Sequence, residues 1–259
     1  MKWLVGLVSL LGASSALGAE PEPGTDLQEL PFSEMGLSQE LWELQLSTLA
    51  ELHTGDGESL RLALLLELGI LDDLQVELEI FHDGQLNGFD GFETAPIELG
   101  LMYRLVELEG LVVSGHVEAG IGDESELAGH LIVHPYWGRC HLQGQIGVEA
   151  ELDEEVVRLG GTFGGYCAVG DLTGVAELEA RDAEDGLEVS GAAGLAVRPA
   201  SGYEIFLAGV LGLWGDDDAL PGTGGLLLIA TAEWPLYEEE DDDGDGDELA
   251  AAGAAFGLP

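Results

Sequence analysis

Leu74-Gln75-Val76-Glu77-Leu78-Glu79-Ile80 alternates apolar and polar residues without a break. Successive side chains of an extended strand point to opposite faces, so Leu74, Val76, Leu78 and Ile80 share one face and Gln75, Glu77 and Glu79 the other. Just upstream the pattern repeats: Leu60, Leu62, Leu64, Leu66, Leu68 and Ile70 fall on one face, and Arg61, Ala63, Leu65, Glu67 and Gly69 on the other. Leu71-Asp72-Asp73 supplies a tight polar turn between the two runs, which makes the unit a β-hairpin. Such a hairpin suits two architectures. One is a soluble barrel or sandwich with its apolar face inward; the other is a membrane barrel with that face turned to lipid.

The rest of the chain chooses between them. The same period predicts strands over 41–53, 59–70, 74–82, 95–106, 111–121, 127–137, 141–152, 156–168, 173–182, 186–198, 202–214 and 225–234. They are twelve, an even number, and mostly longer than soluble strands; about 9–11 tilted residues cross a bilayer. Every second connection is tight (71–73, 107–110, 138–140, 169–172, 199–201), whereas the alternate set includes the long 83–94 and 215–224. Short turns at one end and longer loops at the other are the outer-membrane arrangement. Ile97, Leu99, Leu101, Tyr103 and Leu105 form a charge-free face opposite Glu98, Gly100, Met102 and Arg104, and Tyr203, Ile205, Leu207, Leu211 and Leu213 form another. A soluble twelve-stranded barrel with these residues inside would need a large lipid-like ligand to fill it. The expected fold is therefore all-β, a twelve-stranded up-and-down antiparallel transmembrane β-barrel. Trp42, Tyr103, Trp137, Tyr203 and Trp234 are the expected interface anchors.

Four regions follow. Residues 1–19 read as a secretory signal peptide, with Lys2, an apolar core from Trp3 to Leu11, and the small-x-small site Ala16-Leu17-Gly18. Residues 20–40 form an N-terminal periplasmic linker, 41–234 the barrel, and 235–259 an acidic tail. The chain carries 51 Asp+Glu against 7 Lys+Arg, a formal charge of −44. A surface this acidic repels phosphate backbones, which argues against nucleic acid as a partner. Forty glycines and 46% hydrophobic residues argue against a charged disordered chain.

The hairpin Leu65 to Glu79, the run Ile97-Glu98-Leu99-Gly100-Leu101-Met102-Tyr103-Arg104-Leu105 and the ending Leu226 to Trp234 resemble outer-membrane transporters of phenol-degradation pathways. The resemblance spans roughly 41 to 234. It implies passage of hydrophobic or aromatic compounds and a final aromatic read by the barrel-assembly machinery. Trp234 occupies that place, although 25 residues follow it.

With lipid outside, the polar faces line the lumen. Its expected acids are Glu67, Glu77, Glu79, Glu98 and Glu118 in the first half, and Glu149, Glu151, Glu177, Glu179 and Glu188 in the second. Gln75 and Gln143 join them, and Arg61, Arg104, Arg158, Arg181 and Arg198 are expected to form ion pairs. Excess negative charge in a pore favours cations. Cys140 and Cys167 come together if 141–152 pairs with 156–168, and an exported compartment favours their disulfide. His116, Glu118, His130 and His134 lie on neighbouring strands as a transition-metal ligand set, against the plainer reading of hydrogen-bonded lumen residues. Asp241, Asp243, Asp245 and Gly246 match the start of an EF-hand loop, but Ala252 stands where the bidentate glutamate belongs, so a solvated acidic linker is the plainer expectation and calcium the alternative. No Gly-x-Ser-x-Gly elbow accompanies Ser47, Ser114 or Ser190, and neither an enzyme nor a resident cofactor is expected. The expected function is passive passage of small solutes across the outer membrane of a Gram-negative-type cell, with outer-membrane lipid and the assembly machinery as partners. The rivals are a closed structural or interaction barrel without transport and a soluble exported lipid-binding barrel.

Overall fold

The computed structural model describes residues 30–31, 39, 41–54, 59–85, 93–121, 125–152, 156–183, 186–200, 202–215 and 224–236. The expected signal segment and the tail positions Asp241, Asp243 and Asp245 lie outside the described residues. Twelve strands follow in order: β1 (Glu43–Thr54), β2 (Ser59–Leu71), β3 (Leu74–Gln85), β4 (Glu93–Leu108), β5 (Leu111–Ile121) and β6 (Glu126–Trp137). The second half is β7 (Cys140–Glu151), β8 (Val156–Val169), β9 (Leu172–Ala183), β10 (Gly186–Ala200), β11 (Tyr203–Trp214) and β12 (Gly224–Pro235). Each pairs with its sequence neighbours, and β1 pairs with β12 antiparallel from Glu43↔Pro235 to Thr54↔Gly224, so the sheet closes into a barrel.

In the opening hairpin Leu66 stands opposite Leu78, Glu67 opposite Glu77 and Leu68 opposite Val76. A register shift between Gly69 and Leu71 then lets Leu71 pair with Leu74, so Leu71 closes β2 and the turn is Asp72-Asp73 alone. β3 and β4 run further than the apolar pattern suggests. Arg61 pairs with Asp83 and Leu60 with Gly84, because ladder hydrogen bonds need backbone and not apolar side chains. At the opposite end the connections shrink to two residues. Gly138 (φ 59°) and Gly170 (φ 65°) take the left-handed backbone that two-residue hairpin turns require and that other residues adopt only with strain.

Alternation is kept around the whole wall. Leu62, Leu64, Leu99, Leu101, Ile146, Leu159, Leu195 and Leu207 point outward and are exposed, whereas Gln45, Gln75, Gln143 and Ser114 point inward and are at most 1% exposed. The apolar face is thus the outer one, which overturns the soluble barrel with its leucines inside. An outer wall of this kind is stable only against hydrocarbon. Trp42, Tyr103, Tyr203 and Trp234 are exposed towards the two-residue-turn end, and Tyr203 meets Trp234 edge to face at 6.5 Å. Their amphipathic rings suit the membrane–water boundary.

Cys140 and Cys167 are direct cross-strand partners of β7 and β8, and they form a disulfide with a Cα separation of 4.2 Å. Both lie on the outward face at the two-residue-turn end, beside Trp137. The bridge joins residues 27 apart in sequence. Chain-entropy reasoning gives such a link about 3 kcal/mol of stability. The double variant Cys140→Ser/Cys167→Ser should lower the free energy of urea unfolding in detergent by about that amount while keeping the β-sheet circular-dichroism spectrum.

Candidate functional site

The lumen divides into zones that follow from which residues alternate inward. Near the two-residue-turn end lies an amide–carboxylate network. The side-chain amides of Gln45 and Gln75 both donate to Glu67, and Gln75 also donates to Glu77 at 2.9 Å. Gln39, which precedes β1, joins this network from inside the barrel. Its backbone N–H donates to Oε1 of Gln75 and its side-chain amide to Oε1 of Gln45, each at 2.7 Å. Ser47 and Thr231 connect their hydroxyls at 3.0 Å across the β1–β12 seam.

On the other side of the lumen many of the inward residues are apolar. Tyr166, Val175, Ala192, Ala196, Phe206, Ala208, Val210, Leu227 and Ile229 pack together, and Leu30 from the N-terminal segment is buried among them at 5% exposure. Both Leu30 and Gln39 therefore occupy the barrel interior. Beside this arc, His134 Nε2 lies 2.9 Å from His141 Nδ1, and the His141 ring stacks on Tyr166 at 4.5 Å. Tyr136 stacks on the other side of His141 at 5.8 Å. This aromatic group was not foreseen from the sequence. Its signal was present in the positions of Tyr136, His141 and Tyr166 on the inward faces of three consecutive strands, with Tyr136↔His141 and His141↔Tyr166 as direct partners.

Halfway along β5, His116 places Nε2 2.9 Å from Oε2 of Glu77 and Nδ1 3.8 Å from Oε2 of Glu118. His130 is its direct partner on β6, and the two rings lie 5.8 Å apart. Gln145 holds the Nδ1 of His130 at 2.8 Å. His116, Glu118 and His130 bring one ligand atom each within 4.8 Å of one another. His134 is not part of this group. It stands four residues along the strand from His130, about 13 Å away, too far for the two imidazoles to share one ion. Towards the loop end the acids gather: Glu98, Glu118 and Glu126 bring carboxylate oxygens within 4.8 Å of one another. Glu126 is not among the residues the sequence pattern places in the lumen, because β6 begins one residue before the apolar alternation starts at Leu127.

Four expected arginines have ion pairs. Arg158 meets Glu151 at 2.6 Å, Arg181 meets Glu188 at 2.9 Å and Arg198 meets Glu204 at 3.0 Å. Arg104 instead reaches the rim, to Asp73 of the turn at 2.8 Å and Glu107 at 3.1 Å. A cavity of about 420 Å³ opens beside this charged zone, with His130, Gln145, Glu149, Arg158, Glu179 and Arg181 in its walls. Glu177 and Gln143 are buried.

No protein-family profile and no curated protein matches the chain. Solved structures do. An outer membrane channel from Pseudomonas putida F1 superposes with a TM-score of 0.62 at 12% identity, covering 83% of this chain and 100% of that one. The NanC porin gives 0.60 at 7% identity, over 72% of this chain and 98% of that one. The KdgM porin in complex with disordered oligogalacturonate gives 0.54 at 10% identity, over 73% and 98%. The chain has the fold of porin-like outer-membrane barrels.

Glu204 is 2% exposed on its side chain and shares its charge with Arg198. Arg198→Met should destabilise the barrel by about 3 kcal/mol, since removing one member of a buried ion pair is costly. Urea titration in detergent micelles checks this, and Glu204→Gln in the same background should restore part of the loss.

Proposed function

We propose that this chain is an outer-membrane channel for passive passage of small solutes, with a preference for cations. The observation that carries this reading is the pairing of an apolar outer wall with an acidic interior: Glu98, Glu118 and Glu126 cluster in the lumen, and Glu149, Glu179 and Glu188 lie around the adjoining cavity. A ring of carboxylates raises the local concentration of cations and opposes anions. The porin fold of the structural neighbours supports a channel in general. The two-residue turns face the periplasm in this reading and the longer connections face outside.

The resemblance to phenol-degradation transporters suggests hydrophobic or aromatic solutes. The apolar arc of Tyr166, Val175, Phe206, Leu227 and Ile229 gives such a solute a lumen surface to lie on. Leu30 sits on that same arc and Gln39 in the polar network, which favours a second reading in which the N-terminal segment keeps the barrel narrow or shut. Bilayer recordings test both. Under a potassium chloride gradient the reversal potential should report cation selectivity. Glu98→Gln/Glu126→Gln/Glu149→Gln should move it towards zero. Deleting residues 20–39 should raise single-channel conductance. Silence in both the full and the shortened chain would rule out the channel.

A further inference from the structure

We propose that His116, Glu118 and His130 form a binding site for a divalent transition-metal ion inside the lumen. Two imidazoles and a carboxylate are a borderline-soft donor set suited to zinc and its neighbours, and the barrel wall holds them on one face. His116 and His130 are direct cross-strand partners, and Glu118 follows His116 by two residues, so all three side chains project inward side by side. The 3.8 Å between His116 Nδ1 and Glu118 Oε2 is close to the roughly 3.4 Å separating two ligands around a tetrahedral zinc ion.

Three further features point to an ion. First, His116 is set up as a ligand. The Glu77 carboxylate lies 2.9 Å from its Nε2, which favours the proton on that nitrogen and leaves the lone pair on Nδ1. Both ring nitrogens of His116 are buried without a well-formed hydrogen bond among the described residues, and Nδ1 is turned towards Glu118. A buried ring nitrogen without a partner is costly unless something occupies it. Second, the Gln145 side-chain amide lies with its nitrogen 2.8 Å from Nδ1 of His130 while its Oε1 is buried without a hydrogen-bond partner; turned over, the same amide accepts from Nδ1–H of His130 and leaves the Nε2 lone pair for an ion.

Third, the wall is cut away around these groups. A Cβ on Gly147 would stand 2.4 Å from Nδ1 of His130, and one on Gly100 would stand 2.8 Å from Nε2 of His116 and 2.7 Å from Oε2 of Glu77. Two glycines on flanking strands thus make room for the two histidines and for the acid that holds one of them. Glu98 and Glu126 bring further carboxylate oxygens within 4.8 Å of Glu118.

The site concerns binding and stands whether or not the barrel conducts, so its test does not use current. Zinc would be titrated calorimetrically into the detergent-solubilised full chain in excess magnesium, which occupies sites made of oxygen alone. One zinc per barrel is expected. His116→Gln, His130→Gln and Glu118→Gln should each weaken it at least tenfold, and Glu77→Gln by about 10- to 100-fold. His53→Gln, at an exposed histidine on β1, should leave the affinity unchanged. Cobalt in place of zinc should give visible absorption that is lost in His130→Gln, a variant at a partly exposed ring where folding is least at risk. Absence of zinc binding, or equal affinity in His116→Gln and His130→Gln barrels that keep heat-modifiable gel mobility, would overturn the site.

Discussion

Within hydrocarbon every backbone N–H and C=O must find a partner in the protein, and the β1–β12 seam meets that requirement. Twelve residue pairs join the first strand to the last, so no strand edge faces lipid. Closure then dictates the remainder. Once there is an inside and an outside, period-2 alternation must send one set of side chains to each, and the set in contact with acyl chains must be apolar. That is why the leucines of β2, β4 and β11 are exposed while glutamines are almost wholly buried. The usual rule for soluble proteins is inverted by the solvent, and the backbone geometry is unchanged.

The interior has its own constraint. Buried polar groups must be satisfied in a confined space, and they divide according to neighbour type. Gln45, Gln75, Glu67 and Glu77 knit together near one mouth. The inward apolar residues of β8 to β12 meet one another and Leu30. Between and beyond them lie the histidine pair and the clustered acids. A lumen built this way is a graded lining, polar on one side and apolar on the other, and both properties bear on what can pass.

Much of the wall was legible in the sequence, because strand periodicity is local. Leu74 to Ile80 was readable as a two-faced strand from its own alternation, its lipid-facing side following from strand number, strand length, loop asymmetry and the signal segment, and the Cys140–Cys167 bridge from hairpin register together with an exported compartment. Contacts that depend on several strands at once were harder to read. The grouping of His134 with His116 and His130 failed because neighbouring strands bring together residues at the same height, and four residues along a strand is a large distance. The stack of Tyr136, His141 and Tyr166 needs the register of three strands. The lumen positions of Leu30 and Gln39 had no signal at all, since the weakly patterned segment before β1 carries no period from which a face could be read.

Leu236 leaves the barrel at the two-residue-turn rim, its N–H bonded to the carbonyl of Trp42 at 2.7 Å. Everything after it is therefore tethered at that mouth, including nine acidic residues between Glu238 and Glu248. Fixed anions held at an orifice behave like the matrix of an ion-exchange resin. In the proposed channel they would set up a Donnan partition that enriches mobile cations before any lumen residue is met, an effect that dilute electrolyte strengthens as screening weakens. On that proposal permselectivity would belong partly to the wall of the tube and partly to a polyelectrolyte fastened to its rim.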